Sequence, residues 1–254
     1  MTKTVVIIQA RMNSSRLPGK VLRDLGGRTV LAHVIERCKA IKNADVICCA
    51  VPESTESDPV AAEAEKNGAT VFRGSEEDVL SRYYEAAKML SADVVLRVTS
   101  DCPLIDPGIC ASVIQLLETK GVDFSTNNAP PTWPHGLDCE AMTFACLGRA
   151  HQEVTDPQER QHVTLFIRRH PNVRRTNLSG PGGPLLSHRW TLDYSEDLDF
   201  LRALFNVLPV KPKLPNYEQI LDTLNAHPEI SAINAIHKNP NHDPESIPAH
   251  DLVG

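Results

Sequence analysis

The sequence predicts an α/β protein with a mostly parallel central sheet and helices on both faces. Apolar runs rich in β-branched residues alternate along the chain with amphipathic stretches of helical period, an order typical of parallel strands joined by helices. The apolar runs are continuous, as they are in strands that helices cover on both sides. With 254 residues and 41% hydrophobic side chains, the chain can bury a substantial core.

The first hundred residues are predicted to contain four strands separated by three helices. Ser75 is expected to open the third helix, because acidic residues follow it in the first turn. Right-handed crossovers between parallel strands bring the carboxyl ends of these strands to one edge of the sheet, where such folds bind ligands. The predicted strands are 4–10, 45–51, 70–74 and 93–98, and the predicted helices are 29–40, 57–69 and 75–90.

The rest of the chain is predicted to complete the same domain. Residues 1–236 are interpreted as a single domain with a small inserted lobe at roughly 127–188, where a proline-rich loop interrupts the alternation. Residues 237–254 have no periodicity and are predicted to form an irregular tail. Helices are expected at 107–119, 143–153, 157–169, 195–205 and 216–226, and strands at 122–126, near 137–142, at 173–178 and at 189–193.

Composition excludes several classes of function. The formal net charge of −6 leaves no overall basic field and argues against a nucleic-acid partner. The apolar run at the N-terminus is too short for a signal peptide or a membrane span, so we expect no membrane insertion and a cytoplasmic protein. The seven cysteines contain no CxxC pair and the ten histidines no HExxH spacing, which argues against a zinc site.

The loop after the first strand carries an unusual concentration of positive charge. In QARMNSSRLPGKVL, Arg11, Arg16 and Lys20 stand among small and polar residues. The backbone N–H groups of Ser14, Ser15 and Gly19 are expected to be free for an anion, while the three cations supply charge and donors. This pattern favours a phosphate-binding loop over the alternative, a solvated connection with incidental charge.

Two carboxylates are expected at the same sheet edge as this loop. The strand at 93–98 is followed by Ser100 and Asp101, and the strand predicted at 189–193 ends in Asp193. Asp101 could instead cap the helix that begins near Pro107. Asp197 lies four residues beyond Asp193 and is better explained as an acid in the first turn of the following helix.

Several motifs resemble a known family. The loop QARMNSSRLPGKVL is similar to the signature loop of the cytidylyltransferases that activate sugars as CMP derivatives, of which 3-deoxy-manno-octulosonate cytidylyltransferase is the best understood. RVTSDCPLIDP, GLDCE, DPQERQHVT and RWTLDYSEDL resemble the branch named for spore coat polysaccharide biosynthesis. The better-known sugar-acid enzymes carry Gln-Gly-Asp-Glu-Pro where this chain has Thr-Ser-Asp-Cys-Pro at 99–103, so the acceptor need not be an octulosonate.

The resemblance implies a fold and an activity. The fold would be that of nucleotide-diphospho-sugar transferases, which is GT-A-like and Rossmann-like. The activity would be magnesium-dependent transfer of CMP from CTP to a sugar, sugar acid or related acceptor for a surface polysaccharide, by a homodimer formed through the segment after residue 125. Two alternatives stay open at this point: a GT-A glycosyltransferase that uses a nucleotide-sugar donor, and a nucleotide-binding module without turnover.

The resemblance also implies roles for individual residues. Lys20, Arg11, Arg16 and Asp101 would be catalytic, and Asp101 and Asp193 would hold Mg²⁺. Arg73 is open to a second interpretation as an exposed charge at a strand end, and Glu140 to one as a surface residue on a strand. The nucleotide would contact Ala10, Arg11, Met12, Arg16, Lys20, Arg73 and Ser100, and the acceptor would contact Arg97, His135, Asp138, Glu140 and Arg160.

Overall fold

A seven-stranded sheet forms the centre of the protein in the computed structural model, which describes residues 2–209 and 214–237. A short hairpin of two further strands follows the first loop, β2 (Asp24–Leu25) and β3 (Arg28–Thr29). The strands of the large sheet are β1 (Thr4–Gln9), β4 (Val46–Pro52), β5 (Thr70–Gly74), β6 (Val94–Thr99), β7 (Phe124–Thr126), β8 (Glu140–Thr143) and β9 (Arg175–Asn177).

The sheet is mostly parallel, which confirms the predicted fold class. Its strand order is β5-β4-β1-β6-β8-β7-β9. The first four of these strands are parallel to one another, while β8 runs antiparallel to both of its neighbours. The stretch 127–188, predicted as an inserted lobe, contributes β8 and β9 to this same sheet. The carboxyl ends of β1 and β6 are therefore adjacent at one edge.

Helices cover both faces of the sheet. The helices are α1 (Val30–Lys39), α2 (Asp58–Lys66), α3 (Val79–Met89), α4 (Pro107–Lys120), α5 (Phe144–Glu153), α6 (Pro157–His162), α7 (Leu165–Arg169), α8 (Ser195–Val207), α9 (Tyr217–Ala226) and α10 (Pro228–Ile233). Those on one face include α1, α2, α4, α8 and α9, and those on the other include α3, α5 and α7. None of the helices among residues 2–209 and 214–237 is long and apolar enough to cross a membrane.

The continuous apolar run of β1 is explained by these two layers. Val6 and Ile8 point into the core on one face, and Val5 and Ile7 point into the core on the other. All four side chains are fully buried. Because successive side chains of a strand alternate between faces, a strand between two helical layers needs apolar residues at every position.

Three predicted elements differ in the structure. The helix predicted at 157–169 is two short helices, α6 and α7, because Val163 adopts a φ of 63° between them. The third helix begins at Val79 rather than at Ser75, since the side chain of Asp78 caps it by accepting from the Ser81 N–H.

The strand predicted at 189–193 does not join the sheet. It makes a single bridge, between Arg189 and His135, to which the bond from Trp190 N to His135 O belongs, and one further backbone bond, from Leu192 N to Asp101 O. Helix α10 was not predicted. Of the predicted tail 237–254, His237 ends a short 3₁₀ helix and the rest lies outside the described residues.

Candidate active site

A narrow polar cleft lies where the carboxyl ends of β1 and β6 meet the segment before α8. Its volume is about 170 Å³. Three separate parts of the chain form it: the loop after β1, the loop after β6, and the stretch that leads into α8. The lining residues are Gln9, Arg11, Ser14, Ser15, Arg16, Lys20, Val21, Thr99, Ser100, Asp101 and Asp193.

Lys20 lies at the centre of this cleft. Gly19 adopts a φ of 66°, a left-handed conformation that glycine accepts readily, and this turn starts a 3₁₀ helix at Lys20. The ammonium donates to Asp101 Oδ2 at 2.8 Å, to Asp193 Oδ1 at 2.9 Å and to the Leu192 carbonyl at 2.8 Å. Burial alone would lower the pKa of Lys20, but the two carboxylates raise it, so the side chain stays charged.

Asp101 faces the cleft from the end of β6. Burial alone would raise its pKa, but the charge and hydrogen bond of Lys20 lower the pKa to about 2. Asp101 does not cap α4, because the Oδ1 atom of Asp106 accepts from the Gly108 and Ile109 N–H groups at 2.7 and 3.0 Å. The alternative role as a helix cap is therefore wrong, and the Asp101 side chain lines the cleft instead.

Asp193 receives a second cation from the first loop. The Arg16 guanidinium lies 2.7 Å from Asp193 Oδ1, and its central carbon lies 5.1 Å from the centre of the Tyr194 ring. Burial alone would lower the pKa of Arg16, but Asp193 and Tyr194 raise it. The loop and the segment before α8 are thus joined by ion pairs across the cleft.

Asp197 lies behind Asp193 and does not face the cleft. Its side chain is fully buried and makes a bidentate ion pair with Arg189, both contacts at 2.9 Å. It also accepts from the backbone N–H groups of Asp193 and Tyr194 at 2.9 and 3.0 Å. Asp197 is therefore an acid of the first turn of α8, as the sequence favoured, and its carboxylate is fully engaged.

The loop backbone differs from the expectation of free N–H groups. The N–H groups of Ser14 and Gly19 both donate to the Met12 carbonyl, at 3.1 and 3.0 Å. This prediction is wrong for these two groups, since the loop uses them to hold its own shape. Ala10 is buried, with its N–H bonded to Ala50 O. Arg11 is exposed and lines the cleft, as does the buried Ser100.

Arg97 and Glu140 form a buried ion pair beside the cleft. The two residues face each other across β6 and β8, and the Arg97 Nη1 atom lies 2.6 Å from Glu140 Oε2. Arg168 binds the other oxygen at 2.7 Å. Glu140 is 1% exposed, so its interpretation as a surface residue is wrong. Burial would raise its pKa, but Arg168 and Arg97 lower the pKa to about 2.

The GLD motif, which is Gly136-Leu137-Asp138, approaches the segment that carries Asp193. Gly136 has a φ of 112°, and a Cβ atom there would lie 2.6 Å from the carbonyl carbon of Trp190, so only glycine fits. His135 Nδ1 lies 3.3 Å from the Arg189 Nη1 atom, and Asp138 accepts from the Gly136 N–H at 2.9 Å. His135 and Asp138 thus lie around the base of this segment.

Several predicted binding residues are not among those that line the cleft: Ala10, Met12, Arg73, Arg97, His135, Asp138, Glu140 and Arg160. Arg160 lies at α6, where it binds Asp78 at 2.8 Å and donates to the carbonyls of residues 151 and 154. Arg73 is exposed and pairs with Asp58 at the start of α2. Both guanidinium groups have structural partners here.

Sequence reasoning missed three residues at or behind the cleft. Gln9 and Thr99 line it as the last residues of β1 and β6, and Arg189 holds Asp193 from behind. The Gln9 Oε1 atom is buried and accepts no hydrogen bond from the described residues. A polar residue that ends a continuous apolar strand is the signal that could have identified Gln9 and Thr99.

The two acids fit a hard divalent cation. Asp101 Oδ2 and Asp193 Oδ1 both lie within 2.9 Å of one atom, Lys20 Nζ, so they already share one positive charge. Oxygen ligands of this kind suit Mg²⁺, which is usually held by one or two carboxylates with water and substrate phosphates. The described residues contain no group of three or more acidic, histidine or cysteine side chains that could hold a metal. Phosphate oxygens and water would therefore have to supply the remaining ligands.

Comparisons with known proteins identify the family. Residues 5–220 match the model of the cytidylyltransferase family. The chain is 32% identical over 237 residues to spore coat polysaccharide biosynthesis protein SpsF of Bacillus subtilis, a match that covers 90% of this chain and 97% of SpsF. A cytidylyltransferase structure from Leptospira borgpetersenii serovar Hardjo-bovis has a TM-score of 0.87 at 30% identity and covers 95% of this chain and 100% of its own. CMP:2-keto-3-deoxy-manno-octonic acid synthetase complexed with CTP shares the fold, with a TM-score of 0.62 at 19% identity over 81% of this chain and 99% of its own. The chain therefore belongs to the cytidylyltransferase family of enzymes.

Proposed function

We propose that the enzyme transfers CMP from CTP to a sugar, sugar acid or related acceptor, with Mg²⁺ as cofactor and pyrophosphate as the second product. One observation carries the proposal. Lys20 and Arg16 from the loop after β1 meet Asp101 and Asp193 in a single cleft, with contacts of 2.7–2.9 Å. A cleft that pairs two cations with two acids matches the needs of a triphosphate and a divalent metal.

The cations would bind the phosphates of the nucleotide. Arg11 and Arg16 are exposed and can reach a ligand, and when Arg16 leaves the buried Asp193, that carboxylate keeps Arg189 as a partner. Their forked guanidinium groups suit phosphate oxygens, and Lys20 adds a compact charge. In the transfer, an acceptor oxygen attacks the α-phosphorus, and the bond from that phosphorus to the oxygen between the α- and β-phosphates breaks. Negative charge grows on the departing pyrophosphate, where cations lower the barrier.

Asp101 and Asp193 would hold the Mg²⁺. A bound Mg²⁺ would neutralise phosphate charge and hold the phosphate oxygens in place. The low pKa of Asp101 keeps this carboxylate ionised at neutral pH, as a metal ligand must be. Arg189 binds Asp193 Oδ2 at 3.0 Å and so leaves Oδ1 as the oxygen that faces the cleft.

The acceptor would lie near Arg97 and the GLD motif. Arg97 is partly exposed, while Glu140, itself held by Arg168, fixes the Arg97 guanidinium from the buried side. A carboxylate or phosphate on the acceptor is the group that such an arginine recognises. His135 is 56% exposed and borders the segment that carries Asp193. This placement supports an anionic acceptor over an uncharged sugar.

Measurement of pyrophosphate tests the activity. The enzyme is incubated with Mg²⁺, each of the four nucleoside triphosphates in turn, and a panel of sugar acids, amino sugars and phosphorylated sugars. Pyrophosphate release that requires both CTP and one acceptor is the expected result. Release with another triphosphate alone would contradict the choice of CTP. Sugar transfer from a nucleotide-sugar donor without pyrophosphate would support a glycosyltransferase instead.

The relative named above supports a role in a surface polysaccharide, because SpsF is a spore coat polysaccharide biosynthesis protein. We propose the same class of pathway here. We also propose a cytoplasmic homodimer, with no nucleic-acid partner. Light scattering on the purified protein tests the dimer, and a monomer at all concentrations would contradict it.

A further inference from the structure

The C-terminal helix contacts the network that holds Asp193. We define the C-terminal strap as Pro228–His237, which comprises α10 and the short 3₁₀ helix after it. Ile230 anchors the strap in the core with 5% exposure. Asn234, which is 1% exposed, ends α10 and turns its side chain inward.

Asn234 is bonded to both members of the buried ion pair behind the cleft. Its Nδ2 atom donates to Asp197 Oδ1 at 2.9 Å and to the Arg189 carbonyl at 3.0 Å. Asp197 in turn holds the Arg189 guanidinium by two bonds of 2.9 Å. The third contact of that guanidinium is to Asp193 Oδ2, at 3.0 Å. A continuous chain of hydrogen bonds thus runs from the strap to the carboxylate in the cleft.

The same series of hydrogen bonds fixes the backbone of Asp193. Asp197 Oδ2 accepts from the N–H groups of Asp193 and Tyr194 while Arg189 holds the Asp193 side chain. The main chain and the side chain of Asp193 are therefore both held on the side away from the cleft. Only Oδ1 faces Lys20 and Arg16. An outer partner that orients a metal-binding carboxylate commonly controls metal affinity.

A second contact joins the strap to the phosphate-binding loop. The His237 ring stacks on the Tyr194 ring with centres 3.9 Å apart, and Arg16 lies against that same ring. His237 also lies 3.1 Å from Glu196. The strap thus touches residues on either side of Asp193 in the chain.

We propose that Asn234 is a positioning residue of the active site and that the C-terminal strap completes the site. Acting through Asp197 and Arg189, Asn234 holds Asp193 so that it presents Oδ1 to the metal. This inference rests on the proposed function. It also extends the site beyond residue 220, where the match to the family model ends.

The test measures metal binding rather than turnover. Free Mn²⁺ is followed by electron paramagnetic resonance in the presence of α,β-methylene-CTP, which cannot release pyrophosphate. Asn234→Asp replaces the donor nitrogen with an oxygen that repels Asp197, and Asn234→Leu removes the hydrogen bonds at similar volume. Both are expected to weaken Mn²⁺ binding by about 10- to 100-fold. Leu117→Ala, a core truncation in α4 outside both the strap and the network, should leave Mn²⁺ affinity unchanged while it lowers the melting temperature.

A double-mutant cycle separates positioning from general loss of stability. In an Asp193→Asn background, residual Mn²⁺ binding through Asp101 is measured at higher metal concentration. Asn234→Leu should cause no further loss there, because the residue through which it acts is already altered. An equal loss in both backgrounds, wild-type affinity in both Asn234 variants, or an equal loss in Leu117→Ala would each overturn the inference. If the wild-type protein bound no Mn²⁺ with the nucleotide, the proposed function would fall as well.

Discussion

The Lys20 ammonium lies 2.8 Å from Asp101 Oδ2 and occupies the position between two carboxylates. A divalent metal held by the same two oxygens would compete with it. A metal at the proposed site would therefore require Lys20 to move, and the phosphates of a nucleotide would offer its charge a new partner. Nucleotide and metal are thus expected to bind together, each favouring the other.

Replacing Lys20 tests both roles of its charge. Lys20→Ala should lower kcat by about 10²- to 10³-fold, because one preorganised cation at the departing pyrophosphate is lost. The same variant should bind Mn²⁺ more tightly than the wild type when no nucleotide is present, since its ammonium no longer competes. Steady-state kinetics and Mn²⁺ titration measure the two effects. Lys66→Ala, at an exposed helix position, is the control, and wild-type turnover in Lys20→Ala would refute the assignment.

Lys20 is not a surface side chain, although it follows a loop. Only 12% of it is exposed. Its removal takes away the ion-pair partner of Asp101, while Asp193 keeps Arg16 and Arg189. A modest fall in melting temperature should therefore accompany the loss of activity. Mn²⁺ should restore that loss of stability in the variant, because the metal replaces the missing charge.

Replacing Asp101 removes a ligand from the proposed metal site. Asp101→Asn keeps the shape of the side chain but loses the negative charge, and kcat/KM should fall by at least about 100-fold. The metal concentration for half-maximal activity should rise at the same time. Asp58→Asn removes an exposed carboxylate that pairs with Arg73 outside the cleft, so it should match the wild type. An unchanged magnesium dependence in Asp101→Asn would rule out the ligand role.

Replacing Glu140 is expected to destabilise the fold in a pH-dependent way. Glu140→Gln leaves Arg97 and Arg168 buried without their carboxylate, which costs about 3–5 kcal/mol at pH 7. The native pKa of about 2 lies below the ordinary value of 4.5. The ionised carboxylate therefore stabilises the fold fully above about pH 4.5, and this contribution is lost as pH falls toward 2.

Urea unfolding at several pH values measures this effect. The difference in free energy of unfolding between wild type and Glu140→Gln should be largest at pH 5–8 and should shrink below about pH 4.5. Glu65→Gln, at an exposed position of α2, serves as the control and should be near neutral throughout. A difference for Glu140→Gln that stays constant with pH would show that its charge does not stabilise the fold.

Replacing Gly136 should displace the segment that carries Asp193. In Gly136→Ala the new methyl group would collide with the Trp190 backbone, and the positive φ adds strain. Stability and nucleotide-dependent Mn²⁺ binding should both fall. Gly121→Ala also has a positive φ but nothing within 4 Å of its Cβ position, so it isolates the effect of strain. The model of a close backbone approach fails if both variants lose the same stability and neither loses Mn²⁺ affinity.

The residues that sequence reasoning located well share one physical property. Arg16 and Lys20 lie on the connection that follows the apolar strand β1, and Asp101 on the one that follows β6. The carboxyl ends of parallel strands meet at one edge whatever the rest of the chain does. A local pattern therefore carried information about a distant contact. The prediction of Asp193 needed the family motif as well, because residues 189–193 do not join the sheet.

The residues that it misjudged depend on partners far away in the chain. Nothing in the alternation around Glu140 indicates that Arg97 and Arg168 enclose it, since the antiparallel placement of β8 decides that pairing. Arg160 was predicted to contact the acceptor, and the structure places its guanidinium beside Asp78. The division of the predicted helix 157–169 at Val163 could not be predicted either, because a valine rarely takes a positive φ.

The backbone bond from Leu192 to Asp101 makes the cleft depend on the whole fold. Together with the three bonds of Lys20, it ties the first loop, the middle of the chain and the approach to α8 at one point. A partly folded chain would lack this meeting point and would have no affinity for metal and nucleotide together. Bound substrate should therefore slow global unfolding. It should also protect β1 and the helices α8 to α10 from proteases to the same extent.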